Sequence, residues 1–137
     1  MALDITLWDG GQGVPAEAWR TICDQVLAEL GASFRPDIVR FGDGSAFNFS
    51  DTTRQAKDPR AGCSVQVSGL RINRQLCRLL FELAERARLF ILIVDAPQFL
   101  RPPSLHGADL DRGGTLISDI DSAEALFRYL QPQHEGV

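Results

Sequence analysis

The stretch from Cys63 to Val94, CSVQVSGLRINRQLCRLLFELAERARLFILIV, decides how this chain folds. Cys63, Val65 and Val67 alternate with Ser64, Gln66 and Ser68, the period of a half-buried strand. Leu76, Leu80, Leu83, Ala84 and Ala87 then recur at helical spacing. That spacing predicts a helix from about Asn73 to Arg88, with Asn73 as its cap. Arg78, Glu82 and Arg86 lie four apart on the far side and can pair along the surface. Phe90 to Val94 is apolar on both faces, as a central strand requires. A strand, a helix and a strand in this order suit a right-handed crossover.

Upstream, Leu3, Ile5 and Leu7 alternate with Asp4 and Thr6, which predicts a short strand. Gly10, Gly11 and Gly13 break it. A first helix runs from Pro15 to Leu30, with Trp19, Ile22, Cys23, Val26, Leu27 and Leu30 on one face. Gly31 stands where a left-handed cap is wanted. The runs Ile38 to Phe41 and Ala46 to Phe49 flank Gly42-Asp43-Gly44-Ser45, a hairpin. Asp51 to Gly62 is a polar loop.

Downstream, Pro97, Pro102 and Pro103 end regular structure, and Leu105 to Gly114 reads as an acidic loop. Thr115 to Ile120 fits either a loop or a short edge strand. Asp121 and Glu124 have capping-box spacing, with Asp121 as the cap of a short last helix that Pro132 stops. The expected architecture is α+β: a small mixed β-sheet with about three helices packed mainly on one face. One domain covers 1–137, and 131–137 forms a frayed tail.

With 137 residues, the chain can bury roughly two-thirds of its unfolded surface and needs no staples. The net charge is −4, and the arginines are scattered, so a basic protein partner fits better than nucleic acid. Cys23, Cys63 and Cys77 are odd in number and form no C-x-x-C pair. A disulfide framework and a zinc site are therefore not expected, and a reducing compartment is. The first basic residue is Arg20, so a signal peptide's charged start is missing. The longest apolar run, Leu89 to Val94, falls far short of the roughly 20 residues that span a bilayer. These readings place the chain in the cytosol.

Motifs that suggest chemistry fail on context. Gly11-Gln12-Gly13-Val14-Pro15-Ala16 matches G-x-G-x-x-A between a strand and a helix. A hairpin follows it, though, not a second parallel strand with an acid for the ribose. Asp109 to Thr115 has the aspartate pair of dehalogenase-like phosphatases, but the buried strand before it is missing. As an EF-hand loop it would need Glu where Ile120 stands. His106 and His134 show no pattern tying them to a nucleophile. No catalytic residue, cofactor or metal is expected.

What remains bears on binding. Asp109, Asp111, Asp119, Asp121 and Glu124 gather negative charge in a short stretch. They suit a solvated loop and helix cap, or an acidic face that meets a basic partner. Phe81 lies about 140° around the helix from Leu76, towards Arg74 and Arg88. It is either an exposed aromatic beside arginine, which is hot-spot chemistry, or a ring covered by a neighbouring loop or a dimer mate.

The Cys63-Val65-Val67 strand, the Leu76 to Ala87 helix, the Phe90 to Val94 strand and the proline-ended Pro97 to Pro103 loop resemble small bacterial immunity proteins of polymorphic toxin systems. That resemblance covers under a third of the chain and carries no binding residue with it. It implies a cognate protein toxin, bound in the cytosol and inhibited by occlusion of its active site. The leading expectation is therefore a non-enzymatic, protein-binding inhibitor whose acidic and aromatic surface covers a basic toxin site. The alternatives are a nucleotide- or metabolite-binding protein using the Gly10 to Ala16 loop, and a homodimer built on the same surfaces.

Overall fold

The computed structural model describes residues 3–8, 16–35, 38–51, 64–69, 73–93, 98–105 and 116–134. Among these residues eight strands form one sheet: β1 (Leu3–Trp8), β2 (Ser33–Arg35), β3 (Ile38–Arg40), β4 (Ala46–Asp51), β5 (Ser64–Gly69), β6 (Phe90–Ile93), β7 (Gln98–Arg101) and β8 (Leu116–Asp119). Three helices accompany them: α1 (Ala16–Glu29), α2 (Arg74–Ala87) and α3 (Ala123–His134). The strand order is β2-β3-β4-β5-β1-β6-β7-β8. Every neighbouring pair is antiparallel except β7 and β8, so the sheet is mixed. The fold is α+β, as the sequence implied. No helix among the described residues is long and apolar enough to cross a membrane.

β1 lies near the middle. Ile5 sits opposite Val67 of β5 on one side and Ile93 of β6 on the other. Both neighbours run antiparallel to β1, so β5 and β6 are parallel to each other. The expected crossover through α2 therefore exists, but its two strands straddle β1 instead of touching. The hairpin turn also forms where expected. Asp43 Oδ1 accepts from the Ser45 amide at 2.9 Å and from its hydroxyl at 2.6 Å. Those bonds hold the Asp43 carboxyl below its ordinary value. Gly44 supplies the positive φ of 92° that the turn needs.

The helices close one face of the sheet. Ile5, Leu7, Ile91, Ile93 and Leu100 are buried in one cluster with Leu76, Leu79, Leu80 and Leu83 of α2. Trp19, Cys23 and Val26 of α1 and Leu126 and Leu130 of α3 complete that core. Strand alternation sends the intervening residues the other way. Phe90, Phe99 and Leu105 form a smaller cluster there, with Trp8 and Leu92 against it. Phe99 meets Trp8 at 5.9 Å and Phe90 at 6.1 Å between ring centroids.

α2 is the middle helix and packs against α1, α3, β6 and the 3₁₀ turn Pro103–Leu105. Its position corrects one expectation. Phe81 is only 9% exposed and belongs to the main core; it is not an aromatic open to solvent. A helix covered on several sides buries a far wider arc than the single stripe read from its leucines. Arg86 ties α1 to α2 by reaching Glu29 at 2.6 Å and Glu82 at 3.1 Å. Glu85 accepts from the Ser104 amide at 2.7 Å, which fastens the 3₁₀ turn.

Two strands were not anticipated. β2 is too short for its alternation to stand out. β7 lies between Pro97 and Pro102, and both prolines fall outside the strand itself, where their missing N–H costs the ladder nothing. The last helix also runs past Pro132 to His134. Proline removes only one helical hydrogen bond and does so here within the final turn. The Gly10 to Ala16 loop and the polar Asp51 to Gly62 loop lie outside the described residues, apart from Ala16 and Asp51.

The two long helices end alike. Gly31 has φ 66°, and Ala32 N–H bonds the Leu27 carbonyl at 2.9 Å. After α2, Arg88 takes the same left-handed conformation, φ 58° and ψ 60°, and Leu89 N–H bonds the Ala84 carbonyl at 2.9 Å. A side chain in that conformation crowds its own carbonyl; a glycine does not. Arg88→Gly is therefore expected to stabilise the protein by about 0.5–1 kcal/mol, read as a higher urea midpoint with an unchanged slope.

Candidate partner-binding surface at the α2–α3 corner

Of the five acids singled out in the sequence, Asp109 and Asp111 lie outside the described residues. Asp119, Asp121 and Glu124 come together where β8 hands over to α3. Asp119 ends β8 directly beside Arg101 of β7 in the parallel register. Arg101 donates to both carboxylate oxygens, at 2.7 Å through Nε and 3.2 Å through Nη2. Its side chain is 15% exposed against 46% for Asp119. A mostly covered guanidinium thus holds an exposed carboxylate in one orientation.

The helix cap is Ser122, one residue after the expected Asp121. Its hydroxyl accepts from the Ala125 amide at 3.0 Å, and its carbonyl accepts from Leu126 at 3.1 Å. Either residue type can cap, and the position of the first helical turn decides between them. The shift leaves Asp121 exposed to solvent.

Glu124 stands in the first turn of α3 and forms an ion pair with Arg74 at the start of α2. Arg128 approaches the other Glu124 oxygen at 3.8 Å. The Arg74 guanidinium also lies over the Phe127 ring, 4.6 Å from its centroid, a cation–π contact. Arg74, Arg78, Ser122, Ala123, Glu124 and Phe127 line a shallow depression of about 350 Å³. An aromatic beside arginine therefore does occur at the surface, but the ring is Phe127 and not Phe81. In the sequence Phe127 is simply one of the apolar residues that make the last helix, with no signal of a surface role. Only the approach of α2 to α3 brings Arg74 over it.

Cys77 lies one turn along α2 from Arg74 and is fully buried. Burial pushes its thiol up to about 12, the Glu124 charge adds to the rise, and Arg74 opposes it. This thiol is a packing group and not a nucleophile at neutral pH. Among the described residues no three His, Cys, Asp or Glu side chains are arranged to hold a metal ion. No protein-family model, curated protein or solved structure matches this chain.

The Arg74–Glu124 pair is 63% and 43% exposed, so it contributes little to stability. Glu124→Gln is expected to cost less than about 1 kcal/mol in chemical denaturation. Cys77 behaves differently. The unfolded thiol starts to ionise near its ordinary value of 9, whereas the folded one stays neutral until about 12. Its contribution is intact below pH 9 and is lost as pH rises from there towards 12. The wild-type stability curve should fall more steeply than that of Cys77→Ala across that alkaline window, and the two should run parallel below it.

Proposed function

We propose that this chain is a non-enzymatic, protein-binding inhibitor acting in the cytosol: an immunity protein that neutralises a cognate bacterial toxin. The observation that carries the reading is the grouping of Asp119, Asp121 and Glu124 at one corner, with two of the three ion-paired to arginines. Held side chains lose less conformational freedom on association, which favours affinity. Toxins that act on anionic substrates present basic groups around their active sites, and an ordered acidic corner complements them.

The mechanism needs no reaction. The outward carboxylates meet the basic groups of the toxin and steer the encounter. Phe127 and Arg74 supply the aromatic and arginine contacts that dominate many interfaces. Occlusion of the toxin's site then follows from the bulk of the domain. The fold suits such a task, because the corner stands on α2, α3 and two paired strands and not on a loop.

Coexpression tests this. Polypeptides encoded beside this chain are produced with and without it, and growth and copurification are scored. The wild type should restore growth against one of them and copurify with it. Asp121→Lys combined with Glu124→Lys should weaken that complex by at least about tenfold while the melting temperature stays within a few degrees. Full protection by the double variant would defeat the reading, as would the absence of any toxic neighbour.

A further inference from the structure

β2 and β3 are the last two strands at one end of the sheet. Val39 is fully buried, and Phe34 packs against the main core. Alternation therefore sends Ser33, Arg35, Ile38 and Arg40 to the other face. All four are exposed there, and they line a concavity of about 330 Å³. The register puts Ser33 opposite Arg40 and Arg35 opposite Ile38. The two arginines thus stand at diagonal corners of a small rectangle, with backbones roughly 7–8 Å apart. The serine hydroxyl and the isoleucine occupy the other two corners.

Like charges this close on one face repel, and a neighbouring acid would relieve them. Arg74, Arg86 and Arg101 each have such an acid. Arg35 and Arg40 have none among the described residues, so two guanidinia frame one hollow without a counter-charge there. A guanidinium presents five N–H donors in a rigid fork that matches phosphate oxygens. A carboxylate has two oxygens in one plane, which a single fork satisfies. A phosphate monoester carries about 1.5 to 2 negative charges at pH 7 and three acceptor oxygens. That is enough to take a fork from either side.

We propose that this concavity binds a small organic phosphate monoester, with its phosphate bridged between the Arg35 and Arg40 guanidinia. The Ser33 hydroxyl, opposite Arg40, donates to a remaining oxygen. Ile38, opposite Arg35, gives the organic part an apolar surface. The volume suits a small molecule. A protein partner would need roughly 800 Å² of this chain's surface, far more than four side chains supply. A nucleic-acid backbone offers phosphodiesters, each with a single charge, and has no use for the isoleucine. The inference stands independently of the α2–α3 corner and of the inhibitor reading.

The probe is phenyl phosphate, titrated into the isotope-labelled full chain at low salt. Inorganic phosphate, phenyl methyl phosphate and benzoate serve as comparisons. Amide shifts should concentrate in Ser33–Arg35 and Ile38–Arg40. Phenyl phosphate should bind at least about tenfold more tightly than the diester or benzoate. Arg35→Gln and Arg40→Gln should each weaken it at least about tenfold. Lysine at either position should restore only part of that loss, because it returns the charge without the fork. Ile38→Ser should bring phenyl phosphate down to the affinity of inorganic phosphate. The proposal fails if no shift occurs up to about 10 mM phenyl phosphate, if the shifts map elsewhere, or if the arginine variants bind as before. It also fails if the diester or benzoate binds equally, or if a phosphotyrosine peptide or a single-stranded oligonucleotide binds more tightly than phenyl phosphate.

Discussion

The structure depends on the removal of one helix from water. Leu76, Leu79, Leu80 and Leu83 of α2 are all fully buried, and each such leucine contributes on the order of 2 kcal/mol when it leaves solvent. A lone amphipathic helix of this length is marginal in water, so α2 forms because the sheet and two other helices cover it. Ile5, Leu7, Ile91 and Ile93 supply the floor beneath. α1 and α3 supply the walls. The β5–α2–β6 crossover then has only one face of the sheet on which to lie, and β1 fills the gap between its strands.

That arrangement decides which surfaces remain. The helix-covered face is closed. On the opposite face, the half of the sheet around β1, β6 and β7 carries the Trp8–Phe90–Phe99 aromatic cluster. The half around β2 and β3 carries arginines and an exposed isoleucine. At the α2–α3 corner, acids and arginines alternate. Exposed ion pairs of this kind add little to the fold; what they do is orient carboxylates and guanidinia.

Much of this was legible in the sequence. The helices α1 and α2, their caps at Gly31 and Asn73, the Gly42–Ser45 turn and the central β6 all follow from local patterns with well-defined physical causes. The acid grouping at Asp119, Asp121 and Glu124 was also visible, because it is contiguous in the chain. Other features were not. β2 has three residues, too few for a period to register. β7 is hidden between prolines that bound it without entering it. The Ser122 cap competes with an adjacent Asp121 that is equally able to serve.

Phe81 and Phe127 mark the boundary most clearly. A helical wheel assigns each residue an angle, but the width of the buried arc depends on how many neighbours a helix has, and only assembly decides that. So Phe81 goes inside and Phe127 shares the surface with Arg74. The sequence alone determined the fold class, the run of its major elements and the core-facing side of β1, where Ile5 and Leu7 are buried, because period and turn chemistry are local. The tertiary structure alone decided strand order, the straddling of β1, and which arginine meets which acid. Those contacts join residues far apart in the chain, and no local pattern encodes them.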